Sequence, residues 1–437
     1  MRKLVILAFI ALPLAACAIG SDYRRPTIST HQAWRIEEKE AVDVANTAWW
    51  EQFNDPVLND LIAVSLKENK DLKIATARVE EYVGRYRVGR SQLFPQIYGS
   101  GSGGRQRSTE RGSNPVPSYV DNPYTIYQGA FSGSWEIDVW GRLRRLNEAA
   151  RADLLSTEEG RRSVILTLVA SVANSYVSLR DLDKQLVVAR QTAKSREDSY
   201  ELFKIRFEGG VISELELSQV RSEYELAMSK VPSLEKQIAF QENALSFLLG
   251  RNPGYIPRGK TIDELTLPSV PAGLPSAILE RRPDIRQAEQ DLIAANARMG
   301  AAKALFFPTI SLTGIFGWSS TDLSMLFSGP SQTWNWAGTF TAPIFTGGSI
   351  LGNYKATQAY REQALLRYEK AIQNAFREVD DALVDQKRTR EQLMSQQKQV
   401  EALRDYASIA RLRYENGYPL LPGTTGFSLQ QTTMSSP

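Results

Sequence analysis

Apolar residues recur at three- and four-residue spacing over long stretches of this chain and at two-residue spacing over short ones. The pattern predicts helices interrupted by strands. Ile285, Ala288, Leu292, Ala295, Met299, Ala302 and Leu305 mark one helical face. That helix stops by Pro308, where the ring removes a donor and restricts the preceding residue. The period then changes to two: Ile310, Leu312, Phe316 and Trp318 alternate with Thr309, Ser311, Thr313 and Gly317, with Gly314 and Ile315 as imperfect members. After a polar loop, Trp334, Trp336, Phe340 and Ile344 alternate with Asn335, Thr339 and Thr341. An earlier stretch repeats the plan: a helix up to Pro95, a glycine-rich strand from Gln96 to Gly104, then Tyr127, Phe131, Trp135 and Ile137 against Gln128, Ser132, Ser134 and Glu136. Strands of about ten residues are long enough to cross a bilayer when tilted, and aromatic residues gather near their ends as in interfacial girdles. A hairpin half-buried on a soluble core has the same alternation.

A proline-free helical stretch follows each hairpin, Arg142 to about Phe207 and Ser349 to about Tyr414. In the first, Leu143, Leu146, Ala150, Leu154, Ile165, Leu168, Val172, Tyr176, Leu179, Leu182 and Leu186 keep a coiled-coil-like seam. Such a helix spans on the order of 100 Å at 1.5 Å per residue. Residues 71–97 match 284–310, so that Asp71 meets Asp284 and Pro95 meets Pro308. Ser134-Trp135 meets Thr339-Phe340, and Arg206-Phe207-Glu208-Gly209-Gly210 meets Arg413-Tyr414-Glu415-Asn416-Gly417. Three matches in one order indicate an internal duplication. The predicted organisation is a first repeat over 61–250, with hairpin about 96–138 and long helices about 142–250. A Pro- and Gly-rich linker follows over 251–279, and then a second repeat over 280–417, with hairpin about 308–345 and long helix about 349–416. Four strands cannot close a membrane barrel by themselves, since the smallest has about eight.

Composition narrows the chemistry. The 437 residues carry 52 Lys+Arg against 49 Asp+Glu, one Cys and one His. No charge excess calls for a nucleic acid, no intrachain disulfide can form, and a lone His31 excludes a His-rich metal centre and argues against His-based nucleophilic catalysis. The mean hydropathy is −0.31, and a β-barrel membrane protein shares this soluble-looking composition. The single cysteine, Cys17, ends the run Leu14-Ala15-Ala16-Cys17 behind Arg2-Lys3 and the apolar Leu4 to Leu12. Residues 1–16 therefore read as an export signal, Cys17 as the acylated first residue of a lipoprotein, and 17–60 as an N-terminal anchor segment. No cofactor other than that covalent lipid is expected. Gly254 to Thr261 fits the phosphate-loop pattern, with Lys260 at its lysine, and Gly99 to Gly104 fits GxGxxG. Neither sits between a strand and a helix as nucleotide binding requires, so both are set aside and the chain is not expected to be an enzyme.

The duplicated plan, the lipobox, Ser21-Asp-Tyr-Arg-Arg-Pro26, the linker Gly250 to Pro268, Glu280-Arg-Arg-Pro-Asp-Ile285 and Ala342-Pro-Ile-Phe-Thr-Gly-Gly348 together resemble the outer-membrane factor family, the TolC-like channels. The likeness is nearest to their lipoprotein branch, the OprM-like channels of resistance-nodulation-division efflux systems. It implies an α+β membrane channel: a homotrimer whose four strands per chain build one shared twelve-stranded transmembrane β-barrel, continued by a long antiparallel α-helical coiled-coil barrel. It also implies a Gram-negative outer membrane, a periplasmic membrane-fusion adaptor and an inner-membrane pump as partners, and passive export of drugs or other small toxic compounds. An outer-membrane component of a type I-like protein secretion system and a periplasmic coiled-coil scaffold are the alternatives. In this family the helical barrel narrows where the long helix turns back. Here that turn is Glu208-Gly209-Gly210, followed by the gate candidates Glu214, Glu216, Ser218 and Gln219, whose carboxylates in a ring would favour cations. The same acids would also suit the first turn of any solvated helix. The second repeat lacks a counterpart. After Gly417 the tail 418–437 carries Pro419, Pro422, Gly423 and Gly426, which break a helix. The expectation is that a frameshift or truncation has replaced the last helix, impairing the channel.

Overall fold

A computed structural model describes residues 19–26, 48–109, 111, 121–266 and 279–415. Cys17 and the tail 418–437 lie outside them. Among the described residues, six α-helices and four strands carry the architecture: α1 (Pro56–Glu68), α2 (Lys70–Ser91), β1 (Gln96–Gln106), β2 (Tyr124–Ile137), α3 (Arg142–Glu208), α4 (Glu214–Leu248), α5 (Pro283–Ala304), β3 (Thr309–Ser320), β4 (Gln332–Thr341) and α6 (Ser349–Glu415). In the paired helices the duplication holds to the residue. Helices α2 and α5 both have 22 residues and begin at Lys70 and Pro283. Helices α3 and α6 both have 67, from Arg142 and Ser349. Pro232 sits inside α4 without ending it.

Sequence signals explain the ends. Asp55 caps α1, accepting from the Val57 amide at 2.9 Å, with Pro56 in the first turn. That helix starts inside the segment to residue 60 assigned above to the anchor. The Asp-Pro pair was the available signal. Asp138 starts α3 by accepting from the amides of Leu143 (3.0 Å) and Arg144 (2.8 Å). Gly210, at φ +70°, ends it: the Val211 amide bonds back to Arg206 O and the Gly210 amide to Phe207 O, both at 2.9 Å. This is a Schellman cap, and it needs a left-handed residue that glycine supplies without strain.

The strands form one antiparallel sheet in the order β1-β2-β3-β4. Register fixes its faces, because alternate residues point to opposite sides. Phe131 pairs with Phe316, which pairs with Trp334; Trp135 pairs with Leu312; Ile310 pairs with Phe340. Tyr127, Trp318, Trp336 and Ile97 share that side. The other face is mainly Gly, Ala, Ser, Thr, Asn and Gln, with Tyr98, Tyr124, Ile126 and Ile315 as its large members. Gly314, an imperfect member of the alternation in sequence, pairs with Trp336, where a small residue leaves room for the indole. Strand β1 runs to Gln106, two residues beyond the glycine-rich stretch. Strand β4 ends at Thr341, so Ile344, expected as a strand residue, lies beyond it and is 97% exposed. Pro343 follows closely and cannot donate to a ladder.

The chain divides into two compact units. Unit 1 takes in residues 19–26, 77–109, 111, 121–160 and 283–371, with all four strands; unit 2 takes in 48–76, 161–266, 279–282 and 372–415. Unit 2 packs Leu58, Leu61 and Ile62 of α1, Leu72 of α2, Leu168, Val172, Tyr176 and Leu179 of α3, and Leu245 of α4 with the cap residue Leu249 into one buried cluster closed by Ile256.

Candidate functional site

The sheet has the chemistry of a surface that meets lipid. On β4, Trp334, Trp336 and Phe340 are 68, 76 and 67% exposed, although such rings gain most from leaving water. Among the described residues both edge strands, β1 and β4, have one side unpaired. Free edges beside an exposed aromatic face call for further strands and an apolar solvent.

The segment Ile19–Pro26, separated from Cys17 by Ala18 alone, is strapped along unit 1. The Ile19 amide donates to Trp140 O (2.9 Å), Arg145 donates to Gly20 O (3.2 Å) and Asp22 (2.7 Å), and Asn296 donates to Ser21 O (3.1 Å). Glu289, buried on α5, accepts from the Tyr23 hydroxyl (3.1 Å) and from both arms of the Arg25 guanidinium. Burial first, then the Glu289 charge, push the Tyr23 phenol up. A side chain on Gly20 would press on the Gly300 backbone at 2.9 Å. The motif Ser21 to Pro26 marks most of this strap in the sequence, whereas Glu289 is signalled there only as an acid amid the apolar residues of α5. Glu289→Ala leaves a bidentate, charge-assisted pair without its acceptor. The strap is then expected to open, and trypsin to cut after Arg24 roughly tenfold faster in folded protein, about 1.4 kcal/mol of local stability. Mass spectrometry of timed digests reads this.

At the turn after α3, all four gate candidates are exposed. Ser213 and Glu216 form a capping box: Glu216 accepts from the Ser213 amide (2.8 Å) and hydroxyl (2.9 Å), and Ser213 Oγ accepts from the Glu216 amide (3.3 Å). Those bonds, backbone first, hold the Glu216 carboxyl below its ordinary pKa. The resulting support of the helix start is present above about pH 4.3 and is lost as pH falls through the lowered value. At 100° per residue Glu214 and Ser218 lie about 40° apart, while Glu216 and Gln219 lie roughly 140° or more from Glu214. One helix therefore cannot turn all four toward a single lumen.

The phosphate-loop pattern has another use. The Gly259 amide donates to Tyr176 Oη (2.9 Å) and the Lys260 amide to Asp55 Oδ2 (3.0 Å), while Tyr176 itself donates to Asp55 Oδ2 at 2.7 Å. The amides that would cradle phosphate are taken up by the protein's own Tyr176–Asp55 pair, one by the phenol and one by the buried carboxylate. A Cβ on Gly259 would lie 2.1 Å from Asp55 Oδ1, so glycine is required there for packing. The other pattern, Gly99 to Gly104, lies within β1.

Comparison with known proteins agrees with this geometry. The profile of a family described as Outer membrane efflux protein matches residues 61–251 and 274–419. The Toluene efflux pump outer membrane protein TtgC of Pseudomonas putida is 38% identical over 423 residues, covering 95% of this chain and 87% of its own length. The Cation efflux system protein CusC of Escherichia coli K12 is 34% identical over 414 residues, 93% of this chain and 89% of its own. The crystal structure of the Campylobacter jejuni CmeC outer membrane channel superposes with a TM-score of 0.86 at 26% identity, over 95% of this chain and 88% of that one.

Proposed function

The chain belongs to the outer membrane efflux protein family, and on that premise we propose that it works as a lipid-anchored homotrimer in which three sheets join edge to edge. It is the outer-membrane channel of an efflux system and extends into the periplasm. The single observation that carries the trimer reading is the sheet: one apolar face, one polar face and two unpaired edges. Three copies pair the edges, put the rings in lipid and turn the polar face to water, as outer-membrane barrels do. Acylation at Cys17 fixes the strap's leading end in the membrane. More than one chain is needed for firm anchoring. A periplasmic adaptor and an inner-membrane pump supply cargo and energy, and the cargo is small toxic compounds of the kinds named for relatives, toluene for TtgC and cations for CusC. The signal is taken as 1–16 and the anchor segment as 17–60.

The test is fractionation of cells making the full chain. The parent is expected in outer membranes as a heat-sensitive trimer labelled by radioactive palmitate, and Cys17→Ala to lose the label while keeping the trimer. An unlabelled parent refutes the anchor; a soluble monomer refutes the channel.

At the periplasmic turn, Glu214 is the acid free to face a narrow lumen, and Glu216 is the cap. In planar bilayers Glu214→Gln is expected to lower cation selectivity, measured as a shift in reversal potential. Glu216→Gln is expected to leave selectivity unchanged and to increase proteolysis at the turn. The reverse pattern would exchange their roles.

A further inference from the structure

Unit 1 contains a pocket of about 410 Å³ walled by α2, α3, α5 and α6, a size that suits a drug-sized ligand. Arg85, Arg298 and Arg367 line it with Asp153, Asp291 and the Tyr360 ring. Both carboxylates are already engaged by the protein: Asp153 pairs with Arg298, and Asp291 accepts from Ser156 Oγ at 2.6 Å. Arg85 pairs with Glu81 at 2.5 Å and lies over the Tyr82 ring, 5.1 Å from its centroid. Among the described residues Arg367 has only the Gln363 side-chain oxygen, at 3.4 Å. The lining thus holds three guanidinium groups against two carboxylates, and one guanidinium short of an anion stands on the same helix as an aromatic ring.

Helix α5 tells which way the pocket faces. Glu289, Asn296 and Gly300 meet the strap, whereas Ala288, Asp291 and Arg298 line the pocket, and at 100° per residue the two sets lie roughly 150° apart. A strap leading to a lipid in the membrane runs on the outside of a membrane channel, so the opposite side looks into the duct. We propose that this pocket is a luminal resting site for an anionic aromatic compound, a ring system bearing a carboxylate or sulfonate, held by Arg367 with its ring against Tyr360. The inference rests on the channel reading above. Planar bidentate recognition of such a group is what a guanidinium does best, and a trimer carries three such sites.

The test titrates detergent-solubilised full-length protein with 5-carboxyfluorescein and, separately, with the cationic dye rhodamine 6G, which has the same ring system, by fluorescence anisotropy. Carboxyfluorescein is expected to bind at about one per chain, Arg367→Gln to weaken it roughly tenfold, and Arg367→Lys, which keeps the charge but not the planar fork, to fall between the two. Rhodamine 6G binding is expected not to respond to Arg367→Gln. In planar bilayers Arg367→Glu is expected to shift the reversal potential toward cations, because the charge lines the duct. Equal carboxyfluorescein binding by the parent and Arg367→Gln overturns the site, and unchanged selectivity in Arg367→Glu overturns its luminal placement. An unboiled gel on the same samples separates the two readings. Without a trimer band the channel reading fails; a trimer whose dye binding ignores Arg367 sinks this inference alone.

Discussion

Asp55→Ala is expected to destabilise unit 2 by about 3–5 kcal/mol, the largest effect of a single polar substitution in the periplasmic helices. Asp55 is fully buried, and one carboxylate does three things: it caps α1 through the Val57 amide, receives the Tyr176 hydroxyl, and receives the Lys260 amide. Alanine removes the cap and leaves the buried Tyr176 hydroxyl and the half-buried Lys260 amide without their acceptor, which costs more than the bonds themselves contribute. Asp55→Asn keeps an oxygen for one or two of the donors and should fall between parent and alanine. Circular dichroism through a urea titration of detergent-solubilised protein measures the difference. A loss under about 1 kcal/mol would mean that water replaces the carboxylate, and the proposed packing role of Gly259 would fall with it. Burial first, then the bond to Asp55, push the Tyr176 phenol up to about 12. A raised phenol stabilises the fold in full below its unfolded value near 10, and that contribution is lost as pH rises toward 12. Tyr176→Phe should therefore be less stable at neutral pH yet lose less on going from pH 9 to pH 12.

The elements that could be read from the sequence are those whose signal is periodic. Helix α3 shows its seam from Leu143 onward, β3 shows its alternation from Ile310 to Trp318, and the prolines at 95 and 308 mark where one period yields to the other. The duplication also survives in sequence, because two copies that make the same structure keep the same spacings. What stayed hidden depends on tertiary partners. Glu289 is one of many acids in a chain with 49, and only the fold brings Tyr23 and Arg25 to it across more than 260 positions. Gly259-Lys260 reads locally as a nucleotide loop, because the local requirement, free amides beside a glycine, is shared by any loop that wraps a carboxylate. Glu216 and Glu214 look alike in sequence, and the capping box that separates them is signalled only by Ser213 three positions before Glu216. The α2–α6 pocket had no signal, since its lining comes from four helices distant in the chain.

Trp336→Arg is expected to abolish outer-membrane assembly, and Ala337→Arg to be tolerated. Trp336 and Ala337 are neighbours near the middle of β4, both exposed and on opposite faces of the sheet, so local propensity and position along the strand are nearly the same for the two. What differs is the solvent each face meets. A charge on the lipid side of a barrel costs about 2–4 kcal/mol near the midplane, and a homotrimer incurs it three times, on the order of the whole stability of an ordinary domain. The same charge on the polar face projects into water, where it costs little and adds to the lumen's charge. Strand β4 is also an edge strand. Damage there strikes the seam where one chain's sheet meets the next, before the trimer can close. The measurement is the heat-sensitive trimer band in outer-membrane fractions, with near-parent amounts expected for Ala337→Arg and monomer or degraded chain for Trp336→Arg. Trp336→Leu, which keeps the apolar surface, should restore the band. Equal assembly of both arginine variants would mean that the aromatic face does not contact lipid, and the hairpins would then have to be read as a soluble sheet.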